Sequence, residues 1–209
     1  MSNSIKVEAG GDALVIRFIR PQIRNPLSVD VLESLDHVIG DAINSAFVKK
    51  LIFTGTGNAF ASGADLREIA ALTAENATEF SLRGQQLMNK IAGSGLYTAA
   101  AINGFCFGGA LDLALACTER IASASATFAH PGAGLGIITG WGGTQRLPRL
   151  IGQANALEMF FTASPIDAAR ALFIGLIDGI EPDPLNHTLS RHFETSPDLT
   201  STSGLVNGS

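Results

Sequence analysis

Apolar and polar positions change period several times along the chain. Residues 5–8 and 13–19 are short β-rich runs split by Gly10, Gly11 and Asp12, the pattern of a hairpin. After a break between Pro21 and Pro26, Ser28 stands as an N-cap, and Val31, Leu32, Leu35, Val38, Ile39, Ala42 and Ile43 recur at helical spacing. Residues 50–55 (KLIFTG) form an apolar strand that runs into a glycine-rich turn. A second helix is predicted over 77–92, a buried strand over 98–102, a loop over 104–109 and an apolar helix over 110–116. Short strands follow at 120–122 and 127–130, then helices over 144–151, behind Gly142 and Gly143, and over 154–162. A last short helix is expected over 185–193, with a polar tail from Thr195 onward. Strands alternating with helices predict an α/β fold. The brevity of the strands, and helices that open at paired glycines, favour a stacked, spiral arrangement over one wide doubly wound sheet.

Composition narrows the class. With 209 residues, one domain with a real core is expected. Apolar residues at 46% and charged ones at 16% exclude a disordered chain. A net charge of −5 without any basic stripe argues against nucleic acid as a partner. Apolar runs are interrupted well before the ~20 residues a membrane helix needs. The start, MSNSIKVEAGGD, lacks the apolar segment of a secretory signal. Cys106 and Cys117 are too few for a disulfide framework, so a reduced, cytoplasmic location is expected. The 23 glycines predict tight turns and close backbone approaches.

Two segments combine small residues with a helix start. FASGADL (60–66) leads into a helix near Asp65, its expected N-cap, and NGFCFGGALDL (103–113) opens a helix at Gly108 and Gly109. Amides at such places are unpaired within the helix and lie at its positive end. Two of them aimed at one point would hold an oxygen that gains negative charge in reaction. Asp112, three residues after Gly109, falls on the same helix face one turn deeper. Taken singly, each segment reads as ordinary turn chemistry, and Glu68 as a solvated helix residue. A dinucleotide fingerprint at Gly55–Gly57 lacks its third glycine, Gly142-Gly143-Thr144 lacks the lysine of a phosphate loop, and Ser62 is not in a nucleophile elbow. His37, His130, His187 and His192 have no ligand spacing with the cysteines, so no metal is expected.

Together with AINGFCFGGALDLALAC (101–117), GWGGTQRLPRLIG (140–152), the early RNPLS and KKLIFTGTG, these segments resemble the crotonase (enoyl-CoA hydratase/isomerase) superfamily over about residues 16–179. The resemblance implies a ββα spiral core over 1–182, with a shortened C-terminal helical part over 183–209. It also implies a CoA thioester substrate, with coenzyme A as part of the substrate and no separate cofactor, and a homotrimer or hexamer. Ala64 and Gly109 match the oxyanion donors, and Arg24, Ser62, Gly63, Asp65, Leu66 and Gly108 the surrounding substrate-binding positions. Family hydratases use two carboxylates. Asp112 matches the first, shortened from Glu, but the second follows a Pro, and here Pro131 precedes Gly132. Gly140 likewise stands where some family isomerases carry Asp. Loss of one acid/base group typically costs ~10²–10⁴-fold in rate. His130, Thr139 and Trp141 complete the candidate pocket, His130 reading either as a hydrogen-bonded structural histidine or as a proton carrier. The expected function is an acyl-CoA lyase or isomerase that stabilises a thioester enolate. The alternative is a non-catalytic CoA-binding or assembly protein on the same fold.

Overall fold

A computed structural model describes residues 3–191. β1 (Ile5–Gly10) and β2 (Ala13–Phe18) form the expected antiparallel hairpin, with Gly10 paired to Ala13. From there the chain repeats one unit. β4 (Lys50–Thr54), β5 (Ala59–Ala61) and α2 (Leu66–Ala70) make one turn of the spiral, with α3 (Ala74–Ala92) following. β7 (Tyr97–Ile102), β8 (Phe105–Phe107) and α4 (Gly109–Ala116) make the next, and β9 (Glu119–Ala122) with β10 (Thr127–Ala129) begins a third. The first strand of each unit joins a six-stranded sheet ordered β1-β2-β4-β7-β9-β12, where β12 is Gly179–Ile180. The second strand of each joins a smaller sheet ordered β11-β10-β8-β5, where β11 is Ile166–Asp167. β3 (Pro26–Leu27) pairs only with β6 (Gly63–Ala64). This stacked pattern is the crotonase-like spiral that the sequence predicts.

α1 (Val29–Asn44) buries the predicted stripe from Val31 to Ala42, while Ile43 remains exposed. Each large aliphatic side chain so buried contributes about 1.5–3 kcal/mol. Ser28 holds the N-cap position of α1 without a side-chain bond. The Glu68 carboxylate accepts the Val29 amide at 2.9 Å instead, so Glu68 is an interelement cap and not a solvated residue. α3 starts at Ala74, three residues before the predicted boundary, because Asn76 Oδ1 accepts the Thr73 amide at 2.7 Å and closes the first turn. The predicted loop 104–109 contains β8, whose register with β10 sets Cys106 against Phe128. The helix expected over 185–193 is α8 (Pro184–Ser190), with its C-cap at Arg191; positions 192 and 193 and the polar tail lie outside the described residues. α5 (Gly143–Ile151), α6 (Gln153–Thr162) and α7 (Ala168–Phe173) complete the fold. Among the described residues no helix is long and apolar enough to cross a membrane.

α4 is buried from Ala110 to Ala116, which is what a helix apolar all round requires. It touches α3, α5, β6 and β8, so its first turn lies where several chain segments converge.

Candidate active site

Glycine geometry brings the two small-residue segments together. Gly63 has φ +87°, and a Cβ there would lie 2.6 Å from the Phe107 carbonyl oxygen and 2.7 Å from the Gly109 nitrogen. Only a residue without a side chain lets β6 pass so close to the start of α4. Gly108, at φ +54°, donates its amide to the Ala129 carbonyl at 2.8 Å and turns the chain into α4. The Gly109 amide is therefore the first of the helix, without an intrahelical acceptor and at the positive end. Ala64 and Gly109 line one cavity of about 240 Å³.

Of the other predicted positions, Ser62, Leu66, Gly108, Asp112, His130, Gly132, Thr139 and Trp141 also line this cavity; Arg24, Gly63 and Asp65 do not. Gly63 lies behind the wall. The Asp65 carboxylate is turned onto Arg67, accepting its amide at 2.9 Å and its guanidinium at 2.6 Å, and these bonds hold its pKa below the ordinary value. Asp65 thus caps α2 as expected. The exposed Arg24 guanidinium stacks 4.6 Å from the Phe105 ring centroid, outside the cavity.

Asp112 is the charged centre of the site. It is fully buried, and one oxygen, Oδ2, accepts a short hydrogen bond from the Thr139 hydroxyl. The other, Oδ1, has no hydrogen-bond partner. Gly143 faces it so closely that a Cβ would lie 2.1 Å from Oδ1. Burial pushes the Asp112 pKa up to about 7, although the Thr139 hydroxyl, the Trp141 backbone and the Arg146 charge each pull it back. A carboxyl poised there can both take and give a proton near neutrality.

His130 lies beside it, with Nε2 3.7 Å from Asp112 Oδ1, just beyond hydrogen-bond range. The reading of a hydrogen-bonded structural histidine is overturned: neither ring nitrogen has a partner. Its packing is a tilted ring contact with Phe160 at 5.1 Å. Burial drives its pKa down to about 4, so the imidazole is neutral at physiological pH. With the imidazole neutral the two groups are not an ion pair, and a proton held at this site resides on the Asp112 carboxyl.

Gly132 offers no open slot. A Cβ would lie 2.6 Å from the Ile137 carbonyl oxygen, because the 132–137 loop closes on itself through the Ile137 amide to Gly132 carbonyl bond of 3.0 Å.

Sequence reasoning did not find Ile69 on α2 and Phe80 on α3, which line the cavity, or the role of two glycines. Trp141 is wedged between α3 and α4: a Cβ on Gly84 would lie 2.1 Å from its indole, and one on Gly109 2.3 Å. A glycine inside a helix costs about 1 kcal/mol relative to alanine. At Gly84 that cost admits the indole, which then forms one side of the cavity against Phe80, with ring centroids 5.7 Å apart. The signal in the sequence was a lone glycine within the α3 helical pattern.

Known proteins match the sequence and the fold of this chain. A profile of the Enoyl-CoA hydratase/isomerase family matches residues 8–203. The short-chain-enoyl-CoA hydratase of Clostridium acetobutylicum is 38% identical over 188 residues, covering 89% of this chain and 72% of that protein. The crotonyl-CoA hydratase of Syntrophomonas wolfei is 38% identical over 177 residues, covering 83% and 68% respectively. Among solved structures, the enoyl-CoA hydratase of Bacillus anthracis superposes with a TM-score of 0.84 at 35% identity, covering 90% of this chain and 74% of that one. A matching family profile, these relatives and the shared spiral agree with one another: the chain belongs to the enoyl-CoA hydratase/isomerase family of the crotonase superfamily.

Proposed function

We propose that the chain binds an enoyl-CoA thioester with its carbonyl oxygen between the Ala64 and Gly109 amides, and moves protons on the acyl chain through Asp112. The observation that carries this reading is the contact-distance approach of Gly63 to the Gly109 amide, beside a buried carboxyl poised near neutrality. Amides fixed at the mouth of α4 favour the charge that forms when the thioester becomes an enolate; one such donor is typically worth ~3 kcal/mol in the transition state. The relatives named as hydratases support a 2-enoyl substrate and addition of water. In that reaction the water proton goes to Asp112, the hydroxyl to the β-carbon, and a proton returns to the α-carbon as the enolate collapses. With Gly132 in place of the family's second carboxylate, a double-bond shift in a 3-enoyl thioester fits one carboxyl equally well. There Asp112 removes a proton from the α-carbon and returns it to the γ-carbon. The exposed Phe161 and Phe173 supply apolar surface for the homotrimer or hexamer that the resemblance implies.

The test is mass spectrometry of purified protein incubated with 2-enoyl, 3-enoyl, malonyl-type and saturated acyl-CoA. Gain of one water identifies hydration, and isomerised product identifies the double-bond shift. Unchanged thioesters with retained CoA binding would overturn the catalytic reading in favour of a non-catalytic CoA-binding protein.

A further inference from the structure

The second proton-carrying group of this site cannot occupy the place at which the family resemblance would put it. The backbone around Gly132 is closed by the Ile137 carbonyl, 2.6 Å from where a side chain would start. The cavity contains one other ionisable side chain besides Asp112, and that is His130. It is 3% exposed, both its nitrogens are unpartnered, and Nε2 faces the equally unpartnered Asp112 Oδ1 across 3.7 Å. Buried polar atoms without partners are rare in folded proteins because each costs about 1–3 kcal/mol. Two of them, Nε2 and Oδ1, face each other in the wall of a cavity, and one proton on Oδ1 would satisfy both.

We propose that His130 is a positioning residue that acts through Asp112: when Asp112 holds the proton received from substrate or water, its Oδ1–H donates to Nε2, and this bond orients the carboxyl for the return step. The proton stays on Asp112, because burial raises the carboxyl and lowers the imidazole, which leaves Asp112 the stronger base. In the return step the Oδ1–H bond breaks as the bond from the proton to the acyl carbon forms. No oxidant, metal or second carboxylate enters the balance. Thr139 fixes the other carboxyl oxygen, so the proton and its bond to His130 are directed to Oδ1. This inference deepens the enoyl-CoA reading and rests on it for the substrate, while the Asp112–His130 coupling is a property of the free protein.

Few groups can disturb that coupling. Arg146 on α5 acts on Asp112 by its charge, the Cys106 thiol on β8 is kept protonated by burial, and Phe160 presents only its ring to His130.

Two measurements test the inference. The first is ¹⁵N and ¹³C NMR of labelled histidine in wild type and Asp112→Asn, in the absence of substrate. The His130 imidazole should shift over the pH range in which the Asp112 carboxyl titrates, and this step should vanish in Asp112→Asn. An imidazole spectrum that Asp112→Asn leaves unchanged overturns the inference, whatever the enzyme does with CoA thioesters. The second is the kinetics of His130→Phe, which retains a ring against Phe160 but has no nitrogen. It should lower kcat about 10-fold or more with KM within about threefold, the effect of leaving the buried Asp112 proton without its acceptor. A kcat within about threefold of wild type shows that packing alone was needed and also overturns it. Coupling seen by NMR without turnover of any thioester would refute the assigned reaction and leave the Asp112–His130 pair standing.

Discussion

Asp112→Asn and His130→Gln should tilt the pH dependence of stability in opposite directions. The Asp112 carboxyl has a native pKa of about 7 against an ordinary 3.8. The folded protein thus holds that proton more tightly than the unfolded chain, so its contribution is full below about pH 3.8 and is lost as pH rises through about 7. His130 is the reverse, about 4 in the native state against an ordinary 6.5. Its contribution is full above about pH 6.5 and is lost as pH falls through about 4. Between about pH 4.5 and 6.5 the two slopes oppose, each close to 1.36 kcal/mol per pH unit, and largely cancel in wild type. Removing either group exposes the other. Relative to wild type, Asp112→Asn should gain about 2 kcal/mol on going from about pH 4.5 to 6.5, and His130→Gln should lose about 2 kcal/mol over the same span. Both groups are almost wholly buried, so solvent screening takes little from these figures. Urea unfolding of the three proteins at closely spaced pH values, compared as differences so that all other groups drop out, reads the effect directly. Differences that stay flat with pH, or that slope the same way in both variants, would refute the burial-driven shifts.

Other consequences are open to measurement. Thr139→Val removes a hydrogen bond that holds the Asp112 pKa down, so the pH-rate profile should move its carboxyl limb upward by about one unit, read from kcat/KM across pH. Gly109→Ala would place a methyl 2.3 Å from the indole of Trp141, the single tryptophan of the chain, and should cost about 1–3 kcal/mol by overpacking. The same substitution should red-shift tryptophan emission as the ring is displaced from its buried site. Gly132→Glu should not raise hydration, because the new side chain meets the Ile137 carbonyl 2.6 Å away; a large gain in water addition would show that the loop yields easily.

The elements legible in the sequence were those whose pattern is local and long. α1 carries a clean apolar stripe, and the β1–β2 hairpin is bounded by its own turn. The short strands were not legible: β3 and β6 are two residues each, and exist because Pro26 faces Gly63 and Leu27 faces Ala64 across a long sequence separation. β8 hid within a glycine-rich run because its three residues are specified by partners on β5 and β10. The same limit applied to the site. That Gly109 opens a helix and that Asp112 follows one turn later was visible in the spacing. That the Asp112 carboxyl titrates near neutrality was not, since its burial comes from Gly143 on α5 and Thr139 before it, neither of which announces a contact with α4. Glu68 shows the complementary error: a charged residue on a short helix reads as solvated until the unpaired amide of Val29 is found beside it.

The distribution of unsatisfied atoms bears on whether the fold retains chemistry or only shape. Among the described residues, four buried side-chain polar atoms have no partner, and three of them belong to Asp112 and His130. Apolar side chains of similar volume at both positions would remove those penalties and also the cost of ionising a buried carboxyl above neutrality. A protein needing this spiral only for assembly would gain from such replacements: Asp112 makes one tie, to the Thr139 hydroxyl, and His130 makes none, whereas Asn25 bonds both the Ala59 and Phe60 carbonyls. Asp112 Oδ1 and both His130 nitrogens instead stay unpartnered beside a cavity that Gly109, at the opening of α4, also lines. Destabilising polar groups gathered at one concave site, in a core otherwise well satisfied, are what a catalytic centre requires and an assembly scaffold does not.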